Sequence, residues 1–315
     1  MLSTDNALTC SQMTNTPEFD PVWIPLNHDF DYYAMFEVPQ PWHKKVELGD
    51  TFPTSWNSAL ANLKNSGIKV KFLAVNPQNE AKENTKVFLY KNKKDSFIQL
   101  VPLIFDLPTL LVPDLLNGLA EDKLHEFNQY IETSSYRDIF VCIHANRDQC
   151  CGKAGHGLAE NIRTLTNTMK DIRVWECSHM GGHRMAPVFM DMPSGNLWGF
   201  VKKDQLSNIL FHSGDYQKVL RNFRGSMGSN KHSQIAEKEL FYFWGWEWFT
   251  MRRKPGSIEE EGIKKKVSIP FEANSFVQTA QVTLVEDGVI FFPPSQCDDG
   301  KEIKKYFVES VDFVK

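Results

Sequence analysis

Four of the six cysteines in this 315-residue chain fall between positions 142 and 183, and that segment closes on His179 and His183, separated by Met180-Gly181-Gly182. No other stretch is so dense in soft ligands and turn residues, so the fold must be built to bring its two ends together. It opens as CIHANRDQCCG and closes as CSHMGGHRMAP. The apolar runs 138–144 and 172–177 read as buried strands, and a helix is expected over 159–169. Ligands carried where neighbouring strands run out into loops match the usual placement of sites in α/β folds.

Cys142 and Cys151 are separated by eight residues and the two histidines by three. Thiolates and imidazoles suit zinc, iron or iron–sulfur centres, whereas Ca²⁺ and Mg²⁺ want oxygen ligands. In a regular helix His179 and His183 would share a face. Gly181 and Gly182 argue instead for a tight loop whose backbone approaches a bound group closely and donates N–H groups to it. Spacing alone leaves zinc, an iron–sulfur centre and unrelated thiols all open, because this is not a standard zinc-finger pattern.

The remaining chain sets the frame. An apolar content of 42% supports a packed interior, and 315 residues suffice for two domains. A formal charge of −4, with no basic stripe, gives no reason to expect nucleic acid. The opening MLSTDNALTCSQ lacks the pattern of a secretory signal, and VPLIFDLPTLLVP is too broken for a membrane span. Few, unevenly placed cysteines favour the reducing cytoplasm. Residues 1–30 read as a surface arm with Cys10 an ordinary thiol. Strands at 32–38, 68–75, 87–90 and 97–105 and a helix over 56–64 suggest a small α/β unit, with Pro102, Pro108 and Pro113 marking a junction. A helical pattern over 114–135 follows. Beyond the cysteines, two short strands flank the turn at 193–195, a helix opens at 205, 220–229 reads as a Gly/Ser loop, and 232–249 reads as an aromatic helix packed in the core. From 264 onward the chain reads as strands.

VCIHANRDQCCGKAG followed by CSHMGGHRMAPVFMDMPSGNLWGF resembles the sucrase/ferredoxin-like family, relatives of the thioredoxin-like [2Fe-2S] ferredoxins. The likeness extends to FRGSMG at 223–228 and, more weakly, to EVPQPWHKK at 37–45. It implies an α/β architecture of three parts: an N-terminal α/β domain over 1–113, a thioredoxin-like [2Fe-2S] domain over 114–255 and a β-rich extension over 256–315. The first part lacks a matching cysteine set and reads as a degenerate copy of the second, or as a packing partner that shapes the surface for a redox partner. The resemblance also implies that Cys142, Cys151, His179 and His183 hold the cluster. Cys150 and Cys177 stand as alternates, with Arg147, Gly181, Gly182 and Arg184 around them. Arg147 reads as a loop salt bridge with Asp148 or as a charge presented to a partner, and Arg224 as lining the approach.

A cluster core held by two thiolates is formally neutral when oxidised, and four thiolates would make it doubly negative. Reduction is therefore easier than in an all-cysteine ferredoxin. The free ring nitrogen of a histidine ligand would let proton uptake accompany the electron. The implied function is an electron carrier rather than a stand-alone enzyme. It would be served by a redox partner protein or a separate NAD(P)H-dependent reductase, since no G-x-G-x-x-G or complete P-loop is present. A zinc-stabilised interaction module and a thiol oxidoreductase are the alternatives, the latter without a C-x-x-C at a strand-to-helix turn. Nothing resembles the paired carboxylates of a glycosidase, so the “sucrase” of the family name carries no weight.

Overall fold

In a computed structural model of the chain, all residues are described except 1–8, 25–29, 80–82, 95, 98–99, 148, 274–275, 293, 295–299 and 315. Two β-sheets carry the structure, one of nine strands and one of five, with helices packed against them in a mixed α/β fold.

The N-terminal segment is not a surface arm in its described part. It forms α1 (Cys10–Thr14), with Cys10 and Thr14 buried, and the hydroxyl of Thr14 donates a short hydrogen bond to the carbonyl of Arg184. β1 (Tyr32–Glu37) is buried along its length because both of its faces are covered. Tyr33 and Met35 face the core that contains the cysteines, and Tyr32, Ala34 and Phe36 face a second core. This is the period of two expected of a strand between layers. α2 (Asn57–Asn65) returns the chain to β2 (Val70–Val75), parallel to β1. β3 (Asn84–Asn92) pairs antiparallel with β1, and β4 (Leu100–Pro108) pairs with β3. Pro102 and Pro108 lie in this outermost strand, where a missing N–H is tolerated, and Pro113 sits in the first turn of α3 (Val112–Ala120). The proline-spaced segment is thus strand and helix. The helical pattern expected over 114–135 ends at α3 and continues only as a 3₁₀ stretch, Leu124–Tyr130.

The same plan recurs. β5 (Arg137–Cys142), α4 (Gln149–Thr166) and β6 (Ile172–Cys177) form a second parallel strand–helix–strand unit. β7 (Phe189–Met192) pairs antiparallel with β5, and β8 (Asn196–Trp198) with β7. Strand order is therefore β4-β3-β1-β2 in one half and β6-β5-β7-β8 in the other. The halves meet edge to edge where β2 and β6 run antiparallel, through the single register pair Val75↔Cys177. Main-chain bonds from Asn76 N–H to the Glu176 carbonyl (2.8 Å) and from Ser178 N–H to the Ala74 carbonyl (2.8 Å) extend that join. A buried carboxylate also spans the halves: Asp138 on β5 accepts from Tyr90 of β3 (3.1 Å), from Trp175 (2.8 Å) and from both sides of the Arg173 guanidinium.

α5 (Leu206–Phe211) leads to β9 (Phe223–Ser226), which lies in the stretch expected to be a Gly/Ser loop and completes the large sheet beside β8. Its FRGS sequence has little strand propensity; pairing to β8 and burial of Phe223 supply what propensity lacks. α6 (Lys231–Trp244) packs Leu240 and Phe241 into the core, so the aromatic segment is structural. β10 (Arg252–Arg253), β11 (Ser257–Glu261), β12 (Lys264–Ala273), β13 (Phe276–Phe292) and β14 (Lys301–Val314) form the second sheet. β13 runs unbroken from Phe276 to Phe292, with a register shift against β14 between Glu286 and Val289. Among the described residues no helix is long and apolar enough to cross a membrane.

The helix expected from residue 159 begins ten positions earlier, at Gln149. Gly152, Gly155 and Gly157 obscured its start in the sequence, since glycine is a poor helix former. Two of them are required by contact rather than by backbone freedom. A Cβ on Gly152 would lie 2.4 Å from the Cβ of Ala145, and one on Gly155 would lie 2.1 Å from the carbonyl oxygen of Cys142. Around Gly157 there is open space. Gly155→Ala is therefore expected to destabilise the protein by about 1–3 kcal/mol through overpacking. Gly157→Ala is expected to stabilise it by about 0.5–1 kcal/mol. Urea unfolding of the two variants checks this; shifts of the same sign would refute the proposed seating of α4.

Candidate metal centre

Three elements bring the soft ligands together. Cys142 ends β5 on the same side as Phe140, facing the cysteine-containing core. Cys151 sits in the first turn of α4, held close to β5 by the two contact glycines. His179 follows β6 directly. Its N–H donates to Nδ1 of His144 (3.2 Å), while the Ser178 side chain accepts from Ala74 N–H (2.9 Å) across the join of the halves. One donor atom each from Cys142, Cys151 and His179 lies within 4.8 Å of the other two. This is a cluster of side chains able to hold a metal ion.

The His-Met-Gly-Gly-His turn is the tight loop the sequence suggested. Gly181 and Gly182 have φ of 105° and 80°, values that favour glycine. Gly182 also has no room for a side chain, because a Cβ there would lie 2.4 Å from Nη1 of Arg224. His183 begins a 3₁₀ turn, with its ring centroid 6.0 Å from that of His179. His183 lies outside the three-donor group but on the same loop.

The electrostatics separate the thiols. Cys142 is held well below the usual thiol range, chiefly by a hydrogen bond from Cys151; burial opposes this, and His179 adds to the lowering. Cys177, opposite Cys142 on the neighbouring strand, is pushed well above that range by burial and then by the charge of Cys142. One thiol is poised as a ligand and the other remains a protonated core residue. Cys151, in the first turn of α4, is the thiol that donates to Cys142. Cys150 is buried in the same core but is not in the three-donor group. His144 is buried, and burial pushes its pKa down, so its ring is neutral. With Nδ1 accepting, its proton resides on Nε2.

The other predicted residues fall around this group. Arg147 is exposed in the loop between the two cysteines; its expected partner Asp148 lies outside the described residues. Arg184 is buried with its guanidinium 5.4 Å from the ring centre of Phe292. Arg224, from FRGSMG, is buried against Gly182, and one of its nitrogens donates to the Ile24 carbonyl (3.2 Å). Burial pushes its pKa down to about 10, with Cys151 acting in the opposite sense. Sequence reasoning missed His144, although it lies two positions after Cys142 in the same motif. Its role depends on meeting the His179 backbone from another strand, which no local pattern encodes.

Buried donors without partners test whether a metal fits. Nδ1 of His179 has no hydrogen-bond partner among the described residues, an arrangement costly in a closed protein and natural at a ligand site. Two thiols and an imidazole, one thiol already acidic, are the donor chemistry of zinc or iron–sulfur centres. Cys151→Ala is expected to abolish metal retention while Cys150→Ala retains it, as measured by metal analysis of the purified variants. The reverse outcome would make Cys150 the ligand.

Comparison with known proteins follows this geometry. The family model described as sucrase/ferredoxin-like matches residues 26–225, and the chain belongs to that family. Among solved structures, the wild-type thioredoxin-like [2Fe-2S] ferredoxin from Aquifex aeolicus is 17% identical, covering 25% of this chain and 84% of its own, with a TM-score of 0.22. A second structure of a thioredoxin-like [2Fe-2S] ferredoxin from Aquifex aeolicus is 15% identical, covering 31% of this chain and 100% of its own, with a TM-score of 0.25. No curated protein matches.

Proposed function

For this member of the sucrase/ferredoxin-like family, we propose that Cys142, Cys151, His179 and His183 hold a [2Fe-2S] cluster and that the protein carries single electrons between partners. The observation that carries this reading is the placement of His183. A second imidazole stands on the same glycine turn as His179, their ring centres 6.0 Å apart, outside the compact three-donor group. Two thiols and two imidazoles gathered at one glycine turn are a donor set that suits a two-iron centre. When bound, such a group supplies a one-electron couple. The residues of the chain prepare for it: Cys142 is acidic enough to bind as a thiolate, and Met180, Met185, Ala186 and Val188 wall the site from water. The buried Arg224 guanidinium lies near Cys151 and favours added negative charge there. The expected donors and acceptors are a redox partner protein or a separate NAD(P)H-dependent reductase, in the cytoplasm.

The fold reading extends in the same way. Each half of the large sheet is proposed to be a thioredoxin-like unit, the first over 1–113 and the second over 114–255, followed by the extension over 256–315. The support is the repeated strand order. In the first unit Glu37 and Val75 end the strands that Cys142 and Cys177 end in the second, so it carries no ligands.

A specific observation favours a second reading, zinc in a structural role. The donors of Cys142, Cys151 and His179 are close enough to one another for a single ion, for which Zn–S is about 2.3 Å and Zn–N about 2.0–2.1 Å. Anaerobic purification decides between the two. Iron and sulfide near two each, with an EPR signal after dithionite reduction, is the expected result. A colourless protein with one zinc per chain, or iron-replete protein without a signal, would overturn the cluster reading.

Proton coupling is tested separately on the loaded protein. If a histidine ligand takes up a proton with the electron, the midpoint potential falls with rising pH, by up to about 59 mV per unit for one proton per electron. A potential that stays flat between roughly pH 6 and 10 would remove the coupling and leave the electron-carrier reading intact.

A further inference from the structure

A cleft beside the candidate metal centre carries positive charge that the described residues leave largely uncompensated. Lys44 and Lys45 after β1, Lys64 at the end of α2, Lys71 on β2 and Arg147 between the two cysteines converge on a cavity of about 360 Å³ that also reaches His144 and His179. Against these five cations the lining offers, among the described residues, one carboxylate, Glu47, which lies 3.9 Å from Lys64. Lys44, Lys45, Lys71 and Arg147 form no ion pair among the described residues. Lys71 is the most telling. It is half-buried, the face of Phe30 lies 6.0 Å from its ammonium, and both burial and the charge of Arg147 push its pKa down. Like charges gathered in a partly dry cleft repel one another, and a negative guest reverses the sign of that interaction.

We propose that this cleft binds a small molecule through a phosphate or carboxylate group, next to His179. The ligand class follows from the chemistry of the walls. Arg147 offers a planar fork suited to oxyanions and the lysines offer point charges, while Val46, Leu60 and Phe72 supply an apolar side for the rest of the molecule. The volume falls within the range of small-ligand sites. Buried His144 and half-buried Lys71 lie where a small group reaches them. No local pattern marks the site, because its cations come from four separate places in the chain and meet only where the halves of the sheet join. The binding needs no metal; only its consequence, an anion close to a ligand of the redox centre, rests on the cluster reading.

Calorimetric titration of the full-length protein with inorganic phosphate and, separately, with citrate at constant ionic strength tests the proposal. Saturable binding of one probe molecule per chain is expected for at least one of the two. Lys71→Met and Arg147→Gln are each expected to weaken it at least about tenfold, the loss of one charge-assisted contact. Lys71→Arg keeps the charge and is expected to remain within about threefold of the wild type, which separates loss of charge from loss of fold. Exposed Lys170, just before β6 at the end away from the cleft, serves as the control: Lys170→Met should bind like the wild type. Failure of both probes to saturate, or Lys71→Met binding as well as the wild type, overturns the proposal. Iron, sulfide and zinc assays on the same samples keep the two readings apart. Anion binding by protein that holds no cluster overturns the cluster and leaves the cleft; a loaded cluster without anion binding does the opposite.

Discussion

The contact between α4 and β5 is the constraint on which the candidate site depends. A helix carrying ordinary side chains at positions 152 and 155 could not sit against Ala145 and the carbonyl of Cys142. Set further out, it would carry Cys151 away from Cys142, and the hydrogen bond that makes Cys142 acidic would be lost. Glycine in a helix interior costs about 1 kcal/mol relative to alanine. Here that local cost is offset by a backbone approach that positions two thiols, one ending a strand and the other opening a helix. The site is therefore a product of helix-on-strand packing as much as of its ligands.

The second constraint is the join of the two halves. β2 and β6 share one register pair, so the nine-stranded sheet is held at its middle by few main-chain bonds. Buried side chains add to it: Tyr90 reaches Asp138 across the boundary, and Phe88 packs edge-on against both Phe140 and Trp175. Because both halves end their central strands at this seam, the loop after β1 comes to lie over the loop that contains Arg147. Asn146 donates to the Trp42 carbonyl (2.8 Å), and Trp42 meets the ring of His144 edge-on. A half that carries no cysteine ligands thus still supplies one wall of the surroundings of the metal site.

Much of this was legible in the sequence where one physical signal dominated. The strands around 32–38, 138–144 and 172–177 are largely apolar, and the structure forms β1, β5 and β6 there, β1 and β5 buried almost throughout and β6 in part. The His-x-Gly-Gly-His turn was legible because only glycine accommodates its backbone. What stayed hidden was set by tertiary contact. The start of α4 looked like a loop because its glycines answer to Ala145 and Cys142, not to helix propensity. β9 looked like a loop because FRGS is a strand only beside β8. The arm around Cys10 looked like surface because nothing local reveals that Thr14 bonds to Arg184. The repeated strand order is not written in residue spacing, because the halves share pairing rather than residues.

Charge balance ties the thiols to a residue far along the chain. Arg224 is 2% exposed, pressed against Gly182, and among the described residues its guanidinium donates to an uncharged carbonyl, that of Ile24. A buried guanidinium that has no carboxylate beside it among the described residues is expensive. The negative charge closest in kind is that of the thiol pair, and Cys151 is the group that raises the Arg224 pKa against burial. The dependence runs both ways, since thiolates in a dry core are also costly unless a cation compensates them. The thiol pair and Arg224 therefore stabilise each other's charged forms, with the glycine turn letting the guanidinium approach. FRGSMG belongs to the candidate site for an electrostatic reason, and the absence of a side chain at Gly182 belongs to it for a steric one.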